Sequence, residues 1–265
     1  MKNKGLIITL IVLLSIIVFL LATFLVLCIN GTITFNGGFN FGSRKIDKII
    51  YEETYKLEDV NMIEVKQKAG NIIFENSSDD NIKIEVYGEE KNDAEVSFVN
   101  NELKIDYKAE GKGGWIFGIG KAIGDVKVYI PSSYSKNIKI KNDAGDIKVS
   151  NAENADINID CNAGDIKIDK IKNATIDCDA GNVEINNLLN KCNMKLNAGN
   201  LKIQKAEIKE NSNIKNNMGN VKILEINDIY IDAKVDLGNC KVQKNNRSSN
   251  VTLTIDSNMG NVKVE

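Results

Sequence analysis

From residue 123 onward apolar and polar residues alternate with a period of two, and the alternation restarts at a glycine about every 19 residues. Ile123-Gly124-Asp125-Val126-Lys127-Val128 has the same form as Ala144-Gly145-Asp146-Ile147-Lys148-Val149, and further copies surround Gly164, Gly181, Gly199, Gly219, Gly238 and Gly260. Successive glycines are 21, 19, 17, 18, 20, 19 and 22 residues apart. A degenerate copy, Ala69-Gly70-Asn71-Ile72-Ile73-Phe74, lies upstream. The second and fourth residues after each glycine are apolar, as in Ile147/Val149 and Ile166/Ile168, with Lys usually between them. Before the glycine, Ile138/Ile140, Ile157/Ile159 and Leu253/Ile255 alternate in the same way. Such alternation is a strand with one buried face. Each period therefore predicts two short strands joined at the glycine.

The joint has its own pattern. In seven consecutive copies the residues two before and one after the glycine are both Asp or Asn, from Asp143/Asp146 to Asn258/Asn261. Glycine reaches positive φ without steric penalty, and Asx side chains bond nearby backbone amides. Stacked, they can form ladders along an axis. The period predicts an all-β, β-helix-like fold: a β-solenoid of about eight coils over residues 124–265. One coil buries too little to stand alone, so stacking must supply the rest. An antiparallel meander or sandwich is the alternative, but it would not repeat one turn chemistry once per two strands.

Residues 45–123 are less regular. Segments 60–65, 71–75, 82–87, 95–99 and 103–107 read as strands, and this part is expected to begin the solenoid and cap it. Residues 5–29 carry no charge, and 25 residues of helix span about 37 Å, enough to cross a bilayer. Lys2 and Lys4 precede this run and residues 30–43 carry no charge, which places tail 1–4 in the cytoplasm and the remainder outside. The expectation is a single-pass cell-membrane protein whose membrane contact is residues 5–29. A cleaved signal peptide or lipidation at Cys28 are rival readings; the apolar run is long for the first, and Leu27 suits the second poorly. Residues 30–44 form a linker rich in Gly and Phe.

Composition narrows the chemistry. The chain has 265 residues, 34 Lys+Arg against 36 Asp+Glu, one Pro and no His. Near-neutral charge gives no support to nucleic-acid binding. The absence of His removes imidazole nucleophile dyads, bases and metal ligands. The arginines are Arg44 and Arg247 alone and the repeat loops are short, unlike the acid-and-base grooves of β-helical lyases, so no catalytic residue and no cofactor is assigned and the chain is read as a non-enzyme.

The repeated [A/M/L]-Gly-[D/N]-aliphatic-Lys-aliphatic turn, with Val126-Lys127-Val128-Tyr129-Ile130-Pro131 before it, resembles the bacterial putative-adhesin family of β-strand-repeat proteins, over roughly residues 45–265. The resemblance implies a β-helical fold, often beside a transmembrane segment, and brings no catalytic residues.

Five features are candidates for function. Lys127, Lys148, Lys167, Lys202, Lys222, Lys241 and Lys263 share one outward position, broken by Glu184, and could face an anionic polymer or lipid. Gly124, Gly145, Gly164, Gly181, Gly199, Gly219, Gly238 and Gly260 are the structural turn residues. Asp125, Asp146 and Asp165 could hold Ca²⁺ or simply shape the turns; they become Asn from residue 182 onward and the calcium-solenoid nonapeptide is missing, which favours turns. Cys161 and Cys178 stand at equivalent positions and could stack within disulfide reach or fill apolar slots. The loop 111–120, with the sole Trp at Trp115, could touch a membrane or partner, or plug the solenoid.

The expected role is a membrane-anchored adhesion or protein-interaction scaffold. A sensor or regulatory component of an envelope complex, and a binder of anionic wall polymer through the lysines, are the alternatives. Because Val264 directly precedes the final residue Glu265, the last coil is expected to be the open end, covered by a cell-envelope partner or by end-to-end self-association.

Overall fold

The structure is a computed structural model and describes residues 46, 48–90, 93–108 and 124–265, together with the backbone of two short strands. Those two, Ile33–Phe35 and Phe39–Phe41, pair antiparallel within a separate unit. The expected helix 5–29, the rest of the linker and the loop 111–120 lie outside the described residues. Among the described residues no helix is long and apolar enough to cross a membrane.

The second unit is all-β and solenoid-like. Strands on either side of each turn stack in parallel and in register, so that Ile138 pairs with Ile157 and Ile147 with Ile166. Two long parallel faces result, one from the strands before the glycines and one from those after. A narrower third row runs Ala152, Ile171, Leu188, Ala206, Ile226. The inward residues of both faces form one core; Ile157, Ile159, Ile166 and Ile168 of a single coil are each at most 2% exposed. This is the four-aliphatic interior that the alternation demanded. The five strands expected in residues 45–123 are all present, at Met62–Gln67, Ile72–Asn76, Asn81–Tyr87, Ala94–Val99 and Glu102–Tyr107.

The order of coils departs from chain order at both ends. Each turn glycine packs on the carbonyl of its neighbour: Gly145 on Gly70, Gly164 on Gly145, Gly181 on Gly164, Gly199 on Gly181, Gly219 on Gly199, Gly260 on Gly219 and Gly238 on Gly260. The copy at Gly70, degenerate in sequence, is a full coil. Its strand Met62–Gln67 lies between Glu102–Tyr107 and Asn137–Ala144. At the other end, Thr252–Met259 and Val262–Val264 slot between the Gly219 coil and the Gly238 coil. The expectation that Val264 lines the open end is therefore wrong. Val264 is 0% exposed, between Ile223 and Val242. The chain steps out one coil to build 230–242, then returns through the polar segment 243–251 to fill the gap. Its last strands thereby gain partners on both sides instead of forming an edge.

The Gly124 end is closed by strands of opposite direction. Ala94–Val99 hairpins onto Glu102–Tyr107 through Asn100 and Asn101, at φ 53° and 63°, the left-handed pair a two-residue hairpin requires. Asn81–Tyr87 and then Ile49–Lys56 extend the second face antiparallel beyond Val126–Ile130.

Candidate functional site

The turn corner is built by glycine and Asx together. Eight turn glycines, from Gly70 to Gly260, have φ between +107° and +156°. Gly124 is the exception among the expected turn residues: it has no positive φ, and glycine is needed there because a Cβ would lie 1.6 Å from the Tyr87 carbonyl oxygen. The Asx residue after each glycine, except Asn239 in the end coil, accepts a backbone N–H from the next coil. The Asp146 amide donates to Asn71 Oδ1 at 3.0 Å, Asp165 to Asp146 at 3.0 Å, Asn182 to Asp165 at 2.8 Å, and Asn261 to Asn220 at 3.0 Å. The side-chain amides of Asn182, Asn200, Asn220 and Asn261 also donate along the row, as Asn200 does to Asn182 at 3.0 Å. The carboxylates proposed from sequence for Ca²⁺ thus have oxygens engaged on backbone. Among the described residues no three metal-ligating side chains cluster.

Beneath the corner runs an inward column, Tyr107, Gln67, Asn142, Cys161, Cys178, Leu196, Asn216, Ser257 and Val235 in stacking order. Its donors reach the glycine carbonyls: Asn142 to Gly145 at 2.9 Å and Asn216 to Gly219 at 2.6 Å. Cys161 and Cys178 stack as the spacing implied; both are free and buried. Contact with Cys178, together with burial, pushes the Cys161 thiol up. Burial pushes Cys192 up to about 12.

The structure brings the lysines into one row but in a different order. Read along the stack the row is Lys127, Ile73, Lys148, Lys167, Glu184, Lys202, Lys222, Lys263, Lys241. Ile73 therefore interrupts it as well as Glu184, and Glu184 bonds Lys202 at 2.6 Å. Four lysines run unbroken toward the Gly238 end, with Glu265 paired to Lys263 among them.

Two features had no reading in the sequence. On the outer face of Asn81–Tyr87 and Val126–Ile130, Glu85 accepts from Tyr87 at 2.7 Å and from Tyr129 at 3.0 Å, and pairs with Lys83 at 2.7 Å. Burial alone would raise Glu85, but Lys83 and the two hydroxyls outweigh it and hold the carboxyl below its ordinary range. Lys127 lies 5.0 Å from the centre of the Tyr87 ring. The antiparallel pairing that assembles this cluster is tertiary, so alternation alone does not disclose it. The second feature is an exposed apolar row at the residue before the glycine. It is Ala144, Ala163, Ala180 and the half-buried Ala198, then Met218, Met259 and Leu237, the last three 51%, 49% and 64% exposed.

This stack of glycine corners covers the region matched by the Toastrack DUF4097 family model, residues 60–265. The chain belongs to the Toastrack DUF4097 family. Solved structures of similar outline include a putative cell adhesion protein from Clostridium sporogenes, 12% identical, covering 82% of this chain and 99% of that one, with a TM-score of 0.36. Another is a putative adhesin from Bacteroides fragilis, 16% identical, covering 83% and 98%, with a TM-score of 0.34. A putative lipid binding protein from Parabacteroides distasonis is 15% identical, covers 81% and 96%, and has a TM-score of 0.41. Among curated proteins none matches the sequence. In this Toastrack chain the family match begins at Val60, so it takes in the Gly70 coil that the swapped order places inside the stack.

Proposed function

We propose that this chain is a membrane-anchored, extracytoplasmic β-solenoid acting as a non-enzymatic adhesion or protein-interaction scaffold. The observation that carries the reading is the registered stack. Its outward residues form long columns fixed by coil-to-coil hydrogen bonds, a rigid surface suited to contact over an extended area. The apolar run 5–29 supports anchoring, and the strand Ile49–Lys56, which follows it, belongs to the stack end remote from the Gly238 coil. Capture of partners from intact membranes with the full chain as bait tests the role, and protease added to intact protoplasts tests the topology. Digestion of residues 30–265 is expected; protection of the C-terminus overturns the topology.

One observation favours a second reading, in which an anionic wall polymer binds the lysine row. Lys202, Lys222, Lys263 and Lys241 are consecutive, at about 4.8 Å per coil. Cosedimentation with such a polymer should then weaken steeply with salt, and Lys222→Glu with Lys241→Glu should abolish it.

A further inference from the structure

The two ends of the stack are finished differently. The Gly124 end is covered by antiparallel strands. At the opposite end, among the described residues, Tyr230–Leu237 and Cys240–Val242 pair on one side only. The inward positions there are small and incompletely covered: Ala233, Val235 and Val242 are half-buried and Cys240 is exposed. One coil further in, Ile255, Val262 and Val264 are at most 1% exposed.

The open edge is partly dressed. The Asn245 side chain accepts from the Ile231 N–H at 2.9 Å and donates to the Ile231 carbonyl at 2.8 Å. The Ile231 backbone therefore faces the open edge and is satisfied. Peptide groups alternate sides along a strand, so Ala233 and Val235 present theirs to the same edge. Among the described residues no strand pairs with them there.

We propose that this edge is a self-association surface whose occupant is a second copy of the chain, running antiparallel about a two-fold axis. Charge selects the register. Asp232, Lys234 and Asp236 are exposed and alternate with the inward residues. Centring the pairing on Lys234 sets lysine against lysine and Asp232 against Asp236. Centring it on Ala233 requires the Ile231 backbone that Asn245 already covers. Centring it on Val235 uses the open groups of Val235 and the Ala233 carbonyl, which only the Cys240 thiol approaches at 4.0 Å, leaves the Leu237 carbonyl on the Gly260 N–H, and sets Lys234 of each copy opposite Asp236 of the other, twice. Within one chain Lys234 and Asp236 are 3.9 Å apart and their side chains are 77% and 59% exposed, so both are free to re-pair. The contact continues each parallel face into its copy and covers Ala233, Val235, Cys240 and Val242. The interface is isologous and closes at two. Each copy's strand Ile49–Lys56 lies at the far end of its stack, so the two N-terminal sides point apart.

The test is the mass of the full chain in detergent, by light scattering and sedimentation across concentration. A dimer is expected. Ala233→Pro removes only an N–H that faces the open edge, where proline is tolerated, and should give a monomer with unchanged thermal unfolding. Lys234→Asp and Asp236→Lys should each raise the dimer dissociation constant by about tenfold, because like charges then oppose one another. The double variant K234D/D236K should restore the dimer, and a mixture of the two single variants should form it as a heterodimer. A wild type that stays monomeric, a dimer indifferent to Ala233→Pro, oligomers that grow past two, or single variants that do not complement on mixing would each overturn the proposal.

Discussion

Replacing Gly260 with alanine puts a methyl group where the structure has backbone. Gly260 is at φ +136°, and an added Cβ would lie 1.9 Å from the Gly219 carbonyl oxygen and 2.6 Å from its carbon. Neither neighbour is a flexible side chain, so the two coils must part at this corner. The residue meanwhile has to hold a backbone region that alanine occupies at a cost of about 1–3 kcal/mol. Parting the coils also weakens the Gly219 N–H bond to Met259 and the Val221 N–H bond to Asn261, both 2.9 Å, at about 1 kcal/mol each. A loss of about 3–5 kcal/mol is expected, a large part of a typical domain stability of about 5–15 kcal/mol. Lys222→Gln, on the outer face of the neighbouring coil, should change stability by about 0.5 kcal/mol or less. Urea unfolding followed by circular dichroism gives the magnitude, and amide exchange gives the place. Protection should fall in the Gly219 coil as well as in the Gly238 coil, because Gly260 lies between them. A loss below about 1 kcal/mol, or exchange unaltered around Gly219, would refute the turn geometry or the swapped order.

Further outcomes can be checked in the same protein. Val264→Asp buries a carboxylate among Ile223 and Val242 and should lower stability by at least about 2 kcal/mol, seen in thermal unfolding; a neutral result would put Val264 at the surface after all. Asn220→Ala removes the acceptor of the Asn261 amide and should cost about 1 kcal/mol, measured by urea midpoint, with Asn220→Asp retaining most of it. Because the folded Glu85 carboxyl is held below its ordinary range, its contribution is complete above the unfolded value and is lost as pH falls through the folded one. The unfolding midpoint between pH 7 and pH 3 should therefore decline less in Glu85→Gln than in wild type; parallel curves would remove Glu85 from the acid response. In a Cys28→Ala, Ala233→Pro background, where the chain is a monomer, maleimide should label Cys240 at once, leaving Cys161, Cys178 and Cys192 protected until unfolding; fast labelling of all four would contradict the buried column.

Local chemistry made most of the fold legible. Ile147/Val149 or Ile157/Ile159 can bury one face only as strands, and a glycine flanked by Asx every 19 residues or so can only be a repeated corner. The strands, the corner ladders and the stacking of Cys161 on Cys178 follow from those residues. The order of the coils does not. A coil such as 252–264 carries the same pattern whether it is last in the stack or next to last, because parallel in-register pairing accepts any copy of a repeat. The only trace lies in the glycine intervals, where 21 and 22 are the longest and belong to the two ends at which the order is exchanged. Tertiary structure decided which coil faces water. Tucking 252–264 inside gives its strands hydrogen-bond partners on both sides and leaves at the edge a coil with small inward residues and Asn245 across Ile231. The Glu85 cluster was likewise settled by three-dimensional pairing, since Tyr87 and Tyr129 meet only when Asn81–Tyr87 runs antiparallel to Val126–Ile130. What the sequence determined alone is the repeating unit, because its burial and turn conformation are local; which units become neighbours, and which one remains open, depends on satisfying strand edges across the whole stack.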